Sequence, residues 1–118
     1  MKSKNVYWVK YHLEHLRNWR LAANLIAKVA KDIRDNVEVY VIGGAAEGRL
    51  TILSDIDVLI CINDPISEKE IAELRKRILI KAMDEYGLPW DYPVELHIHT
   101  KCECERLLKR LKKFIKVT

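Results

Sequence analysis

Two carboxylates near the middle of the chain, Asp55 and Asp57, have a spacing that suits metal-dependent chemistry. Side chains alternate along a strand, so residues two apart project from the same face. Carboxylates this close repel each other unless a cation lies between them, and oxygen ligands on a strand suit magnesium or manganese. The pair is therefore a candidate site for Mg²⁺, with Mn²⁺ as the other possibility.

A pair of glycines, Gly43 and Gly44, precedes these carboxylates and follows an apolar run from Val37 to Ile42 that predicts a strand. Glycine lets the backbone turn sharply and approach a ligand closely. If a short helix begins there, its free N–H groups offer an anion site for phosphates. A second predicted strand, Ile56 to Ile62, carries the carboxylates onward. A phosphate site joined to a carboxylate pair is typical of phosphoryl or nucleotidyl transfer, whereas either feature alone is more often a plain turn or a solvated strand end.

The stretch from Gly43 to Val58 resembles the signature of the nucleotidyltransferase superfamily that includes DNA polymerase beta, and most closely its minimal nucleotidyltransferases. That signature has a glycine followed by serine or glycine, a further glycine, then serine, aspartate, a hydrophobic residue and aspartate entering a strand. The residues that fit it are Gly43, Gly44, Gly48, Ser54, Asp55 and Asp57. Two positions depart: Gly44 stands where small members often have serine, and Glu47 where many have arginine.

The resemblance implies that Asp55 and Asp57 hold two metal ions and that a third acidic residue on a neighbouring strand completes the metal site and acts as general base. Glu95, in the alternating segment from Val94 to His99, is the best candidate by position, ahead of Asp91 in the preceding loop. An ordinary exposed glutamate remains the alternative, because sequence does not reveal which strands are neighbours.

The other polar residues of the predicted site divide between the phosphates and the acceptor. By the resemblance, the backbone of Gly43 and Gly44 would hold the β- and γ-phosphates, with Ser54 near them and Arg49 countering their charge. His97 shares the face of Glu95; we interpret it as a polar residue of a half-exposed sheet, with contact to the acceptor as the alternative.

The implied reaction moves a nucleoside monophosphate, AMP in the first instance, from a nucleoside triphosphate such as ATP to a hydroxyl acceptor. Minimal members are often paired with a helical partner of the HEPN class in toxin–antitoxin systems, so the resemblance implies a HEPN-like partner or a homo-oligomer that supplies the acceptor surface. The alternative function is a non-catalytic, antitoxin-like module that neutralises a partner by contact; Glu47 and Gly44 favour it, and three acidic residues argue against it.

Composition sets the wider limits. A chain of 118 residues with 49% hydrophobic and 32% charged residues predicts one soluble globular domain over residues 1–118. No apolar run approaches the roughly 20 residues of a membrane span and no signal peptide is recognisable, so we expect a cytoplasmic protein. The net charge of +4 combines basic ends with an acidic middle. We interpret the basic ends as solvated helix faces and do not expect nucleic acid as a partner.

The elements that must position the site are predicted from periodicity and caps. We expect an α/β fold, in which a small mixed sheet of three to four strands is backed by helices, as in the polymerase beta-like nucleotidyltransferase fold. One long amphipathic helix from Asn5 to Arg34 and a second helix between Ser67 and Gly87 would pack on the sheet. Thr100 would begin a last helix, and an edge strand would fall between Phe114 and Val117.

Some side chains outside the predicted site leave two interpretations open. Tyr7, Trp8 and Tyr11 favour a core or a subunit interface over a stacking platform for nucleic acid. His12 and His15 share a helix face but lack a third ligand, so we expect surface residues. We expect the three cysteines of the chain to be reduced thiols, with Cys61 buried in its strand. Cys102 and Cys104 form a C-x-C pattern, for which a redox-sensitive pair is the alternative.

Overall fold

The elements of the sequence prediction occur in the predicted order in the computed structural model, which describes residues 14–51 and 54–117. The helices are α1 Trp19–Ile33, α2 Gly43–Glu47, α3 Glu68–Tyr86 and α4 Lys101–Arg110, and the strands are β1 Val37–Ile42, β2 Ile56–Ile62, β3 Val94–Thr100 and β4 Ile115–Lys116. A helical stretch at 14–17 precedes α1 and is separated from it by a turn at Asn18, so the described part of the predicted long helix is interrupted. The predicted start of that helix at Asn5, the three early aromatic residues and His12 lie outside the described residues.

The described strands form one mixed sheet in the order β3-β2-β1-β4. β1 pairs antiparallel with β2 and with β4, whereas β2 and β3 are parallel. Parallel neighbours need a long crossover connection, and α3 supplies it. The mixed α/β fold expected from the sequence is confirmed.

One face of the sheet is covered by α1 and α3, which form the main core with it. Along α1 the buried residues recur at three- and four-residue steps, and they include Ala23, Ile26 and Ala30. From α3 the stripe Leu74, Ile78 and Ala82 meets them. The central strands β1 and β2 are buried over much of their length because both of their faces are covered.

The opposite face carries a second, smaller core beneath α4. Leu107, Leu108 and Leu111 pack against Tyr40 and Leu59 of the sheet, with Ile42, Cys61 and Cys104 in the same cluster. Cys61 and Cys104 are joined as a disulfide with Cα atoms 6.0 Å apart. The expectation of three reduced thiols was therefore wrong for this pair, because α4 folds back over β2 and brings together residues 43 positions apart. Cys102 is the free, exposed cysteine.

Local sequence signals account for the ends of α3 and α4. Ser67 and Glu70 form the predicted capping box, in which the backbone N–H of Glu70 donates to the Ser67 hydroxyl at 3.2 Å, and Gly87 ends the helix. Thr100 precedes α4 as predicted, but its hydroxyl donates to the Glu103 carboxylate at 3.0 Å and does not cap a backbone N–H. This hydrogen bond, with a further contribution from His99, lowers the pKa of the Glu103 carboxyl.

The outer edge of the sheet at β3 faces the side of α3. Among the described residues β3 has β2 as its one strand neighbour, and the Arg75 side chain donates from Nε to the carbonyl oxygen of Leu96 at 3.3 Å. In the same described ranges, no helix combines the length and apolar character needed to span a bilayer.

The link between β2 and α4 gives a test of stability. Closing a loop of 43 residues stabilises the folded state by about 4 kcal/mol in the chain-entropy model. We expect the double variant Cys61→Ala/Cys104→Ala to lose about 2–4 kcal/mol in denaturant unfolding followed by circular dichroism, and the wild type to behave alike once dithiothreitol is added. Cys102→Ala is the matched control and should unfold like the wild type. Equal stability of the double variant and the control would contradict the disulfide.

Candidate active site

The polar cluster of the candidate site begins with two carboxylates on neighbouring strands. Asp57 of β2 is the register partner of Glu95 of β3 in the parallel pair. The backbone N–H of Ile56 donates to the carbonyl oxygen of Pro93 at 2.7 Å, which holds the starts of both strands together. Register partners share a face, so the two carboxylates project to the same side. Asp57 and Glu95 thus lie on neighbouring strands, which the sequence alone could not show.

His97 lies beside both carboxylates. Its Nε2 atom is 3.0 Å from Oδ1 of Asp57 and 4.0 Å from Oε2 of Glu95. Each of these three residues offers one ligand atom, and those atoms all lie within 4.8 Å of one another. The side chains of His97 and Asp57 are 32% and 28% exposed, so solvent and a ligand can reach them. Sequence reasoning placed His97 on the correct face but did not predict its contact with Asp57.

Gly43 lies next to the Asp57 carboxylate of this cluster. It follows Ile42, the β1 partner of Asp57, and has a φ angle of +68°, a conformation that favours glycine. A Cβ atom added here would stand 2.6 Å from Oδ2 of Asp57. The Asp57 carboxylate therefore occupies the space that a side chain at position 43 would fill, which explains why glycine must follow β1.

The predicted residues Asp55 and Ser54 lie in the connection before β2. Asp55 is exposed, precedes the first residue of the strand and is not a member of the three-residue cluster. Ser54 accepts a hydrogen bond from the backbone N–H of Thr51 at 2.8 Å, and its hydroxyl lies 3.1 Å from that of Thr51. The Ser54 side chain thus joins Thr51 to the residues that lead into β2.

Arg49 and Glu47, the two charged residues of the glycine loop, pair with each other. Nη2 of Arg49 is 3.2 Å from Oε2 of Glu47, and the arginine side chain is 65% exposed. An ion pair this exposed is weak, typically below about 1 kcal/mol. The negative charge of Glu47 is therefore partly offset by its neighbour, and Arg49 can change partners at little cost.

Gly44 differs from Gly43 in its surroundings. A Cβ added to Gly44 would meet its nearest atom, the carbonyl oxygen of Arg49, at an ordinary contact distance of 3.5 Å. Its φ is not among the positive values of the described glycines. The position therefore admits a Cβ atom, and its backbone conformation does not require glycine.

Asp91, the less favoured candidate for a third carboxylate, points to a different part of the molecule. Its Oδ1 atom is 4.0 Å from Nε2 of His15, and the imidazole of His15 lies against the Tyr92 ring with centroids 5.3 Å apart. The expectation that His15 is a surface residue was wrong, since its side chain is only 15% exposed. It packs beneath the loop that leads into β3.

The donor set of the cluster suits a divalent cation. Two carboxylates and an imidazole are ligands that such cations accept, and they come from adjacent strands whose register holds them together. The space left by the missing side chain of Gly43 is taken by the Asp57 carboxylate. A cation held here could orient phosphate oxygens and stabilise the charge that develops during transfer.

The sequence and the fold are each similar to those of known proteins. The family described as Nucleotidyltransferase domain matches residues 24–117 of the sequence. A solved structure of a proposed nucleotidyltransferase from Sulfolobus solfataricus is similar in fold, with a TM-score of 0.59 and 20% identity over 89% of this chain and 84% of that one. A second proposed nucleotidyltransferase has a TM-score of 0.50 and 30% identity over 77% of this chain and 91% of that one. No protein of curated function shows a significant match.

The contact between Gly43 and Asp57 gives a test of the site geometry. Gly43→Ala should lower the free energy of unfolding by about 1–2 kcal/mol because the backbone is left-handed there, and should displace the Asp57 carboxylate and so weaken binding of Mn²⁺. Gly44→Ala, its neighbour in the same short helix, should leave both properties near wild type. Urea unfolding and calorimetric titration with Mn²⁺ measure the two effects. Equal behaviour of the two variants would refute the steric role of Gly43.

Proposed function

The chain belongs to the nucleotidyltransferase domain family, and we propose that it is a divalent-metal-dependent enzyme that moves a nucleoside monophosphate from a nucleoside triphosphate to a hydroxyl acceptor. The observation that carries the proposal is the register pairing of Asp57 with Glu95 beside the backbone turn at Gly43. That pairing gathers acidic ligands next to backbone N–H groups able to meet phosphates. Asp55, in the connection before β2, is near enough in sequence to add a further carboxylate.

The residues of the site divide the work of the reaction. Asp57 and Glu95, with Asp55 from the connection, would hold Mg²⁺ or Mn²⁺. Such a cation, when bound, neutralises phosphate charge and favours ionisation of the acceptor hydroxyl. Backbone N–H groups of Gly43 and Gly44 would donate to the β- and γ-phosphates.

The remaining polar residues act on the proton and on the outer phosphates. Glu95 would accept the proton of the acceptor hydroxyl as the oxygen attacks the α-phosphorus. The new bond forms opposite the bond to the bridging oxygen, which breaks and releases pyrophosphate. Arg49 would turn from Glu47 to the leaving phosphates, and Ser54 would keep the connection folded beside them. The weakness of the exposed Arg49–Glu47 pair supports such an exchange of partners.

The proposed donor and the proposed partner follow from the resemblance of the sequence signature. We take ATP as the donor, AMP as the group transferred, and a protein of the HEPN class in a toxin–antitoxin pair as the acceptor, with a homo-oligomer as the other possible source of an acceptor surface. The open, exposed position of Glu95, whose side chain is 60% accessible, supports an acceptor as large as a folded protein.

A non-catalytic module that neutralises its partner by contact is the second candidate. Glu47 and Gly44 favour it, because they stand where the resembled family often has arginine and serine. The two candidates differ in what the carboxylates do, since only catalysis requires them to hold a cation and a nucleotide.

Binding of the donor is the first prediction of the enzymatic function. Calorimetric titration with ATP, GTP, CTP and UTP should show binding that requires Mg²⁺ or Mn²⁺, with the tightest affinity for ATP. The variant Asp55→Asn/Asp57→Asn keeps the size of both side chains and removes their charge, so it should lose this binding at least tenfold while unfolding like the wild type. An unchanged affinity in the variant would count against the proposed site.

Transfer of AMP to a partner protein is the second prediction of the enzymatic function. Incubation with ATP, Mg²⁺ and a HEPN-class protein from the same source should add the mass of one AMP to that protein, detected by intact-mass spectrometry and located by peptide sequencing. The double carboxylate variant should still form the complex but add no mass. A stable complex in which neither form of the chain modifies the partner would favour the contact-only module. Absence of both complex and mass addition would rule out this class of partner.

A further inference from the structure

His97 lies within the candidate site but has no role in the proposed reaction. It stands two residues beyond Glu95 on β3, so both side chains leave the same face, and Leu59 is its register partner on β2. Its Nε2 atom turns back toward the start of the strand and reaches Oδ1 of Asp57 at 3.0 Å. An imidazole nitrogen is therefore within hydrogen-bond distance of the Asp57 carboxylate.

We propose that Nε2 of His97 is a direct ligand of the divalent cation, together with Asp57 and Glu95, and that the site consequently prefers Mn²⁺ to Mg²⁺. This inference rests on the proposed function for the presence of a cation. It concerns the identity of the third protein ligand and the metal selectivity that follows from it.

The distances fit a shared ligand set. Ligand atoms that are neighbours on a cation with bonds of about 2.1 Å lie about 3.0–3.4 Å apart in octahedral or tetrahedral arrangements. The separation of 3.0 Å between His97 Nε2 and Asp57 Oδ1 is within that span, and Glu95 Oε2 at 4.0 Å needs only a small side-chain movement. Glu95 is the most exposed of the three and so has the freedom to make that movement.

The environment of Asp57 is compatible with a ligand role. One oxygen of its carboxylate faces His97 and the other lies against the backbone of Gly43, where a Cβ would stand 2.6 Å away. The carboxylate thus has His97 on one side and Gly43 on the other, and it stays partly exposed. Such preorganisation directs lone pairs of Asp57 toward the same small volume that the imidazole nitrogen faces, as a cation site requires.

The donor chemistry decides the metal. Mg²⁺ is a hard cation that prefers oxygen ligands and gives up water reluctantly, whereas imidazole is a good ligand for first-row transition metals. Mn²⁺ accepts carboxylate oxygen readily and gains from a nitrogen ligand, so replacing one oxygen by Nε2 raises its affinity relative to that of Mg²⁺. A site with three carboxylates would lack this gain.

His99 provides a matched control on the same strand. It lies two residues beyond His97 and shares its face, but its Nδ1 atom is 3.3 Å from Oε2 of Glu103 on α4. It is not a member of the cluster that includes Asp57. Replacing His99 changes the histidine content of β3 as much as replacing His97 does, without touching the proposed ligands.

Electron spin echo spectroscopy of bound Mn²⁺ tests the inference directly. In the wild type without nucleotide, we expect nitrogen modulation from a coordinated imidazole. His97→Gln keeps an amide donor near Asp57 but removes the ring nitrogen, so it should lose the modulation and lower the ratio of Mn²⁺ to Mg²⁺ affinity about tenfold by calorimetry. His99→Gln should retain both the modulation and the ratio.

The experiment distinguishes failure of the His97 inference from failure of the proposed metal-dependent function. If Mn²⁺ binds the wild type and binding disappears in Asp57→Asn, but no nitrogen modulation is present, His97 is not a ligand and the inference is overturned while the proposed site stands. If modulation persists in His97→Gln, the nitrogen comes from another residue and the inference is again overturned. If the wild type binds neither cation, with or without ATP, the inference and the metal-dependent function both fall.

Discussion

The parallel pairing of β2 with β3 is the constraint on which the candidate site depends. It places Asp57 opposite Glu95, and a shift of one residue would send every side chain of β3 to the other face. The hydrogen bond from Ile56 to Pro93 fixes this register at the strand ends where the site lies, and the buried Leu96 and Ile98 fix it along the strand. The same alternation that buries the aliphatic residues therefore delivers Glu95 and His97 to the polar side.

One face of the sheet forms the main core, and the other carries the smaller core and the polar cluster. Helices α1 and α3 cover one face and supply most of the buried aliphatic surface. On the other face α4 covers the part near Tyr40, Leu59 and Cys61, and the polar cluster occupies the part around Asp57. Because the main core does not depend on the second face, the chain can leave carboxylates and an imidazole partly exposed there without losing the burial that stabilises the fold.

Sequence patterns were sufficient for the elements but not for all of their contacts. The apolar run at Ile56 to Ile62, the alternation from Val94 onward and the Ser67–Glu70 capping box each depend on nearby residues, and each is present as predicted. The neighbourhood of Asp57 and Glu95 depends on strand order, which a local pattern does not contain. The disulfide depends on the path of α4 across the sheet, and a local C-x-C pattern carries no information about the distant Cys61. The contact of His97 with Asp57 required both register and rotamer.

The strand that carries Glu95 and His97 is also where the described sheet stops. A strand at a sheet margin normally offers its free backbone groups to other chains, and long exposed margins promote aggregation. Here Arg75 of α3 reaches over and occupies the Leu96 carbonyl from outside. An incoming strand would have to displace that guanidinium and bring its own backbone next to a positive charge. The Leu96 carbonyl is thereby less available to the backbone of another strand.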